Sequence, residues 1–523
     1  MAIIKLLAFV ACVWIGSTVD SDRQFYSSMD QVMQLVEEEK YFLKLVSSYI
    51  KAEQGNLTAL KSNLQTLKWL SDSEDPEKTM SDPVVAYKLI RRLVVDWPYI
   101  TESTQIRQYK DYQEWSRSDP PRFPTWGDVM GAALGLITLQ EIYKLYPEDI
   151  IRGTPVNVDE AFCVGSVADQ HHKYQHAFHW YLYGLKMLNH PEFLLPLQRV
   201  TKKGLLENLG LSARAFGSPS VTLDFYHQLL DLMPCYGDAT NPWNELFTTY
   251  LRPEPTRTPE PDIYALNTTS SNSYEALCRG DTDQRTSRRQ RALSCRYSTG
   301  GGNPRLILAP LKEEIEWNEP RIIRYHDILS DKEIETLKNI ARPKKSRLIR
   351  PGNIFPVFNC PILLSRPEAN MPQEDLNVRV FQSVFLTEDN IVVDRVNQRI
   401  ADATGLSIET AEPLHVQNYG IGGRDEPSHD TLDAERDMIA TFLTYMSDVD
   451  IGGATVFPES GVALKPKKGS AVFWYKLHKN GTIDPKTQHE GCPVLLGNKW
   501  VANKWIRTFG QEFRRPCSLS EWE

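Results

Sequence analysis

Two residues near the C-terminal end have types and spacing suited to metal chemistry. His489 is followed ten residues on by Lys499, in His489-Glu-Gly-Cys-Pro-Val-Leu-Leu-Gly-Asn-Lys499. A non-haem Fe(II) site takes two histidines and one carboxylate on one face of the metal, leaving the other positions for co-substrate and O2. A lysine on an otherwise apolar strand is expensive to bury unpaired. A dicarboxylate such as 2-oxoglutarate would supply its partner. The plainer alternative is a surface lysine after the Gly497-Asn498 turn, and spacing alone leaves both open. A second cluster holds His171, His172, His176 and His179. Three of these, His172, His176 and His179, share one helical face at ligand-like spacing. With no Cys or Glu nearby to complete a set, a solvated histidine face is the simpler reading.

The elements that must position these groups follow from periodicity. Apolar residues at Met29, Val32, Val36, Leu43, Val46 and Ile50 mark one helical face, and Gly55 separates them from Leu57, Leu60, Leu64 and Leu67. Further helices are expected around Val84–Trp97 and Val129–Leu145, in a helical region spanning residues 22–150. Residues 157–250 are also helical, and rich in aromatics: Phe162, Tyr174, Trp180, Tyr181 and Tyr183. Leu205–Phe216 and Val221–Met233 predict helix–turn–helix with Gly217-Ser-Pro219 as the turn. That resembles a tetratricopeptide-type unit. Tyrosines in its groove could stack on the prolines of an extended peptide; core aromatics are the commoner case. Residues 251–275 read as a Pro-rich linker, from Arg252-Pro-Glu-Pro-Thr-Arg-Thr-Pro-Glu-Pro261 onward.

From about Asn303 the pattern changes. Ser330-Asp-Lys-Glu333 is a capping box ahead of a helix. After a helix around Val392–Thr404, short strands punctuated by Gly and Pro dominate: Leu414–Tyr419, Ala440–Met446, Gly469–Tyr475 and Lys499–Arg507. Such strands predict a double-sheet jelly roll, the double-stranded β-helix. The fold class is therefore α+β and multidomain, with residues 276–523 as the last domain.

The 523 residues suffice for several cores, and a net charge of −8 argues against a nucleic-acid partner. A positive start, an apolar run from Leu6 to Gly16 and small residues to Ser21 read as a signal peptide over residues 1–21. No other run reaches the ~20 apolar residues of a membrane span. Without Cys12, seven cysteines remain: Cys163, Cys235, Cys278, Cys295, Cys360, Cys492 and Cys517. An odd number leaves at least one thiol free or intermolecular. Cys278 and Cys295, paired, would close a modest loop with little core. Asn56, Asn267 and Asn480 open glycosylation sequons.

The runs Gly452-Gly-Ala-Thr-Val-Phe-Pro458, Pro466-Lys-Lys-Gly469, Ala471-Val-Phe-Trp-Tyr475 and Gly497-Asn-Lys-Trp500 resemble the catalytic domain of the collagen prolyl 4-hydroxylase alpha subunit. So do Tyr274-Glu-Ala-Leu-Cys-Arg-Gly280, Pro320-Arg-Ile-Ile-Arg-Tyr-His-Asp327 and Gly510-Gln-Glu-Phe-Arg-Arg-Pro-Cys517. Asp82-Pro-Val-Val-Ala-Tyr-Lys-Leu-Ile-Arg-Arg-Leu93 is similar to the family's N-terminal dimerisation region. Residues 157–250 are similar to its peptide-substrate domain, with Tyr174, His176 and Trp180 on recognisable positions. The resemblance implies hydroxylation of prolines in collagen-type Gly-X-Y sequence in the endoplasmic reticulum lumen, with Fe(II), 2-oxoglutarate, O2 and ascorbate. It implies protein disulfide isomerase as beta subunit of an alpha2-beta2 tetramer. It makes His489 the second iron ligand and Lys499 the 2-oxoglutarate clamp, with Tyr419 near the co-substrate. It pairs Cys278 with Cys295 and Cys492 with Cys517.

One departure stands at the first ligand pair. The family reads Tyr-Glu-Pro-His-x-Asp; this chain reads Asp425-Glu-Pro-Ser-His-Asp430. Asp430 aligns with the carboxylate ligand, Ser428 holds the histidine position, and His429 stands one place later. A bulge would re-aim His429 towards the metal; His415 on the preceding strand is the alternative ligand. A catalytically impaired paralogue that binds peptide or the isomerase is the second functional reading.

Overall fold

A computed structural model describes residues 25–52, 75–98, 124–153, 155–190, 199–233, 260–266, 273–285, 289, 293–342, 346–347, 381–424 and 437–518. The signal-peptide segment, Asp425, Ser428, His429, Asp430, Cys235, Cys360, Asn56 and Asn267 lie outside them.

A short turn at Phe25–Ser27 leads into α1 (Met29–Ala52), whose predicted stripe of Met29, Val32, Val36, Leu43 and Val46 is buried. α2 (Pro83–Arg91) starts on the Asp82 side chain, which accepts from the Val84 amide at 2.8 Å, and runs on into a wider turn over Arg92–Asp96. Beneath it Arg92 is held in a buried pair by Glu39. α3 (Trp126–Tyr143) is apolar nearly all round, as a helix packed on several sides must be. It carries Gly127, Gly131 and Gly135 at one-turn spacing.

Two antiparallel helix pairs follow: α4 (Val158–Gln170) with α5 (Tyr174–Met187), and α6 (Lys202–Phe216) with α7 (Pro219–Leu232). The Asn157–Glu160 capping box begins α4. Gly217, at φ +94°, ends α6 in the left-handed conformation glycine tolerates, and Pro219 opens α7. The aromatics mostly serve the core: Trp180 is fully buried and its Nε1 donates to Gln140 Oε1 at 2.7 Å. The histidines do not form a solvated face. His176 and His179 are buried, and only His172 is exposed. His179 Nε2 bonds the Ile263 carbonyl at 2.8 Å. That same contact anchors the end of the Pro-rich stretch, where Ile263 is wholly buried and the Pro261 carbonyl accepts from Ser218 Oγ. Within residues 260–266 only Ile263 and Leu266 are buried against the helices, and the rest are exposed.

After α8 (Ser273–Arg279) come β1 (Cys295–Ser298), β2 (Leu311–Asn318), β3 (Arg321–His326), α9 (Asp331–Ala341), β4 (Ser346–Arg347), β5 (Phe381–Leu386) and α10 (Ile391–Thr404). The Ser330–Glu333 box caps α9 as expected. The remainder is β6 (Leu414–Tyr419), β7 (Met438–Tyr445), β8 (Val449–Gly452), β9 (Thr455–Phe457), β10 (Val462–Leu464), β11 (Ala471–Tyr475), β12 (Glu490–Gly491), β13 (Val494–Gly497) and β14 (Trp500–Arg507). Nine strands form one antiparallel sheet in the order β1-β2-β3-β11-β7-β14-β6-β5-β4. Two small sheets, β10-β9-β12 and β13-β8, complete the domain.

Alternation sorts the large sheet's side chains. Ala440, Phe442, Ala471, Phe473, Trp500 and Ala502 pack towards α9 and α10. Tyr419, Leu443, Tyr445, Val472, Trp474 and Val501 face the other way and meet Phe457, Val462 and Leu464 of a small sheet.

The disulfide differs from the implied pairing. Cys278 of α8 bonds Cys492 after β12, while Cys295 and Cys517 are free and exposed, and Cys163 is buried in the helical region. The reason is packing: α8 sits against β9 and β10, so Cys278 and Cys492 fall in one apolar cluster with Tyr274, Leu277, Val456 and Ala463. Cys295 lies at the far edge of the large sheet, on β1.

Candidate active site

Lys499 settles the choice between a surface and a buried side chain. It precedes β14, is 2% exposed, and places Nζ 4.7 Å from the centre of the Tyr419 ring. Its carbonyl accepts from the Tyr419 amide at 3.1 Å and from Asn418 Nδ2 at 3.2 Å, which fixes its backbone. Arg324, also directed inward from β3, is engaged by Glu316.

His489 stands just before β12. Its ring lies edge-on to Trp474 at 4.6 Å between centroids, and 5.8 Å from Phe457. Nδ1 lies 3.1 Å from the Thr487 carbonyl, an oxygen that can only accept. The proton therefore sits on Nδ1 and Nε2 keeps its lone pair, the arrangement a metal-binding imidazole needs. Burial, with a smaller contribution from the Lys476 charge and against the Thr487 bond, lowers its pKa to about 4. The ring is neutral at physiological pH and fit to coordinate.

Two polar atoms on the same inward face went unnoticed in the sequence. Trp474 Nε1 and Thr441 Oγ1 are buried with no hydrogen-bond partner among the described residues, and the two residues are direct cross-strand neighbours. Gln417 and Asn503 join them, linked at 2.9 Å. Buried polar atoms are normally satisfied, so orphans here fit a polar ligand. Period-2 alternation groups each of them with its neighbours on one strand face, but which face turns inward is set only by strand pairing.

His415 also faces inward from β6 but is stacked on Phe385, 4.4 Å between centroids, and lies 5.0 Å from Trp505. Among the described residues no three His, Cys, Asp or Glu gather to hold a metal; Asp430 and His429, the expected partners of His489, lie outside them. In the helical region Tyr174 is half-buried with its hydroxyl 2.6 Å from His172 Nδ1, and His176 on the same helix is buried.

Residues 28–155 match the family model "Prolyl 4-Hydroxylase alpha-subunit, N-terminal region", and residues 414–507 match the 2OG-Fe(II) oxygenase superfamily. The chain is 36% identical to chicken (Gallus gallus) prolyl 4-hydroxylase subunit alpha-2, covering 96% of each chain. It is 36% identical to human prolyl 4-hydroxylase subunit alpha-1, covering 95% of this chain and 96% of that one. Among solved structures, a viral collagen prolyl hydroxylase from Paramecium Bursaria Chlorella virus-1, in its 2OG complex, matches 36% of this chain and 94% of its own at 22% identity and a TM-score of 0.26. With two alpha-subunit relatives at 36% identity matched along almost their whole length, this chain belongs to the prolyl 4-hydroxylase alpha-subunit family.

Proposed function

We propose that the chain is the catalytic alpha subunit of a procollagen-proline 4-dioxygenase, hydroxylating prolines in collagen-like Gly-X-Y peptides. The observation that carries this is Lys499, a basic side chain buried against the Tyr419 ring on the inward face of the large sheet. A basic group at that position is suited to bind the carboxylate of a co-substrate.

In this reading the C-terminal domain is a jelly roll around that interior. His489 would hold Fe(II) together with Asp430 and His429, with His415 as the alternative ligand. When bound, the metal and co-substrate would supply the oxidising chemistry, one oxygen of O2 going to succinate and the other to the new hydroxyl as CO2 leaves. The chain's own residues bind, orient and exclude water. Lys499 and Tyr419 hold the distal carboxylate, and the hydrophobic wall of Leu443, Val472 and Val501 keeps water from the reacting C–H. Ascorbate serves as reductant. Residues 157–250 act as a tetratricopeptide-like module that offers Tyr174 to a proline-rich peptide. Trp180 and His176, buried on the same helix, hold that helix in place, and the helices of residues 22–150 provide the dimerisation surface. The partner is a protein disulfide isomerase beta subunit, and the site of action is the endoplasmic reticulum lumen. No described helix is long and apolar enough to cross a membrane.

The test is 2-oxoglutarate decarboxylation by the chain co-expressed with the isomerase, with and without a (Pro-Pro-Gly) peptide. Peptide-stimulated, iron-dependent turnover is expected, with loss on Lys499→Ala. His429→Ala abolishes it if His429 is the ligand. Turnover that survives His429→Ala but not His415→Ala moves the role to His415. Peptide binding without any turnover would overturn the enzymatic reading.

A further inference from the structure

The wall behind Lys499 is built partly by the other end of the chain. Asn418, on β6 and fully buried, uses its whole amide. Its Nδ2 donates to Asn498 Oδ1 at 2.7 Å and to the Lys499 carbonyl at 3.2 Å. Its Oδ1 accepts from Ser28 Oγ and from the Asp30 amide at 3.3 Å. One side chain thus joins the turn that carries Lys499 to the segment that begins the helical region.

The surroundings make that segment part of the barrel wall. Just past the end of β6, the Ile421 amide donates to the Tyr26 carbonyl at 3.1 Å. Gln382 Nε2 donates to Ser27 Oγ at 3.2 Å and to Gln31 Oε1 at 2.6 Å, and Arg342 Nε meets Asp30 Oδ1 at 2.9 Å. The approach is close enough to require glycine: a Cβ on Gly420 would lie 2.0 Å from the Tyr26 carbonyl oxygen.

From this geometry we infer that Asn418 is a positioning residue for the 2-oxoglutarate clamp, and that residues 26–30 hold it in place from outside the catalytic domain. The inference rests on the reading of Lys499 as that clamp. A buried amide that makes four bonds has one orientation; loss of the Ser28 and Asp30 donors frees it to turn, and the Lys499 backbone loses one of its two donors. The co-substrate pocket is then complete only when the first described segment of the helical region is docked.

The experiment measures 2-oxoglutarate binding by calorimetry to the full-length chain with its beta subunit, with Zn(II) in place of iron, so that turnover is not the readout. Lys499→Ala is the reference, and binding of a (Pro-Pro-Gly) peptide is measured in parallel. Ser28→Ala should weaken 2-oxoglutarate about three- to tenfold, matching the loss of roughly one hydrogen bond. Ser28→Thr, which keeps the hydroxyl, should restore it. Gly420→Ala, which forces the segment away without touching Asn418, should weaken it about tenfold or more, with peptide affinity unchanged. If Lys499→Ala weakens binding while Ser28→Ala, Gly420→Ala and Asn418→Ala all bind like the parent, the inference is wrong and the clamp stands. If Lys499→Ala itself binds like the parent, the clamp fails and the inference with it. An equal loss of peptide affinity in the Ser28 and Gly420 variants marks general loosening and also overturns it.

Discussion

At the scale of single residues, burial separates roles that sequence spacing could not. Trp180 and Tyr174 share a helix, but Trp180 is wholly enclosed and bonded to Gln140, whereas Tyr174 is half-buried. Trp180→Ala should cost about 3–5 kcal/mol of stability, read as a lowered denaturation midpoint. Tyr174→Ala should leave the midpoint within about 0.5 kcal/mol and lower the affinity for a proline-rich peptide. Equal stability losses in the two would contradict this division. His176 gives a pH signature. Burial first, then the charges of His179, Lys173 and Lys144, lower its pKa to about 3. Near pH 7 the ring is neutral folded or unfolded. As pH falls below about 6.5 the unfolded chain takes up a proton that the folded one refuses until about pH 3. Stability should therefore drop through that window, by at most about 1.4 kcal/mol per pH unit. His176→Phe should flatten the dependence of the melting temperature on pH between 6.5 and 4; an unchanged slope would remove His176 from the account.

At the scale of elements, the covalent link is the part that resemblance misjudged. The implied partners Cys278 and Cys295 are close in sequence, but α8 docks on the small β10-β9-β12 sheet and hands Cys278 to Cys492. Cys278→Ser or Cys492→Ser should lower stability by about 2–4 kcal/mol, while Cys295→Ser and Cys517→Ser change little. Peptide mapping without reduction should recover the 278–492 pair, and a 492–517 pair would refute it. The helices themselves were legible. Periodicity marked α1, the Gly217-Ser-Pro219 turn fixed α6 and α7, and the Ser330 box fixed α9, because each signal is local. Leu414–Tyr419 was also read to the residue. Which face of each strand looks inward, and so where Thr441 and Trp474 point, depends on which strands become neighbours, and one chain's spacing does not record that. The fate of Lys499 was undecided for the same reason: its burial is a property of β6 and β14 side by side.

At the scale of the whole molecule, the helical region and the oxygenase domain share one interior. Ile421 and Leu495, from the C-terminal domain, belong to the core of the helices. Gly135 of α3 meets the Ile421 carbonyl so closely that an added Cβ would lie 2.3 Å from it. Gly135→Ala should therefore destabilise by about 1–3 kcal/mol and make residues near Ile421 more open to proteolysis, whereas Gly127→Ala, whose Cβ would meet only Thr125 at 3.5 Å, should be tolerated. Tyr26 against Gly420 extends the same seam to the Lys499 turn. That seam bears on how the molecule can be dissected. Severing the chain in the Pro-rich stretch and keeping only the C-terminal piece would strip the oxygenase half of a wall: Asn418 would lose two of its four bonds, and Ile421 and Leu495 would be bared to water. The natural place to cut, judged by composition, is thus a place where the fold is still continuous across the gap.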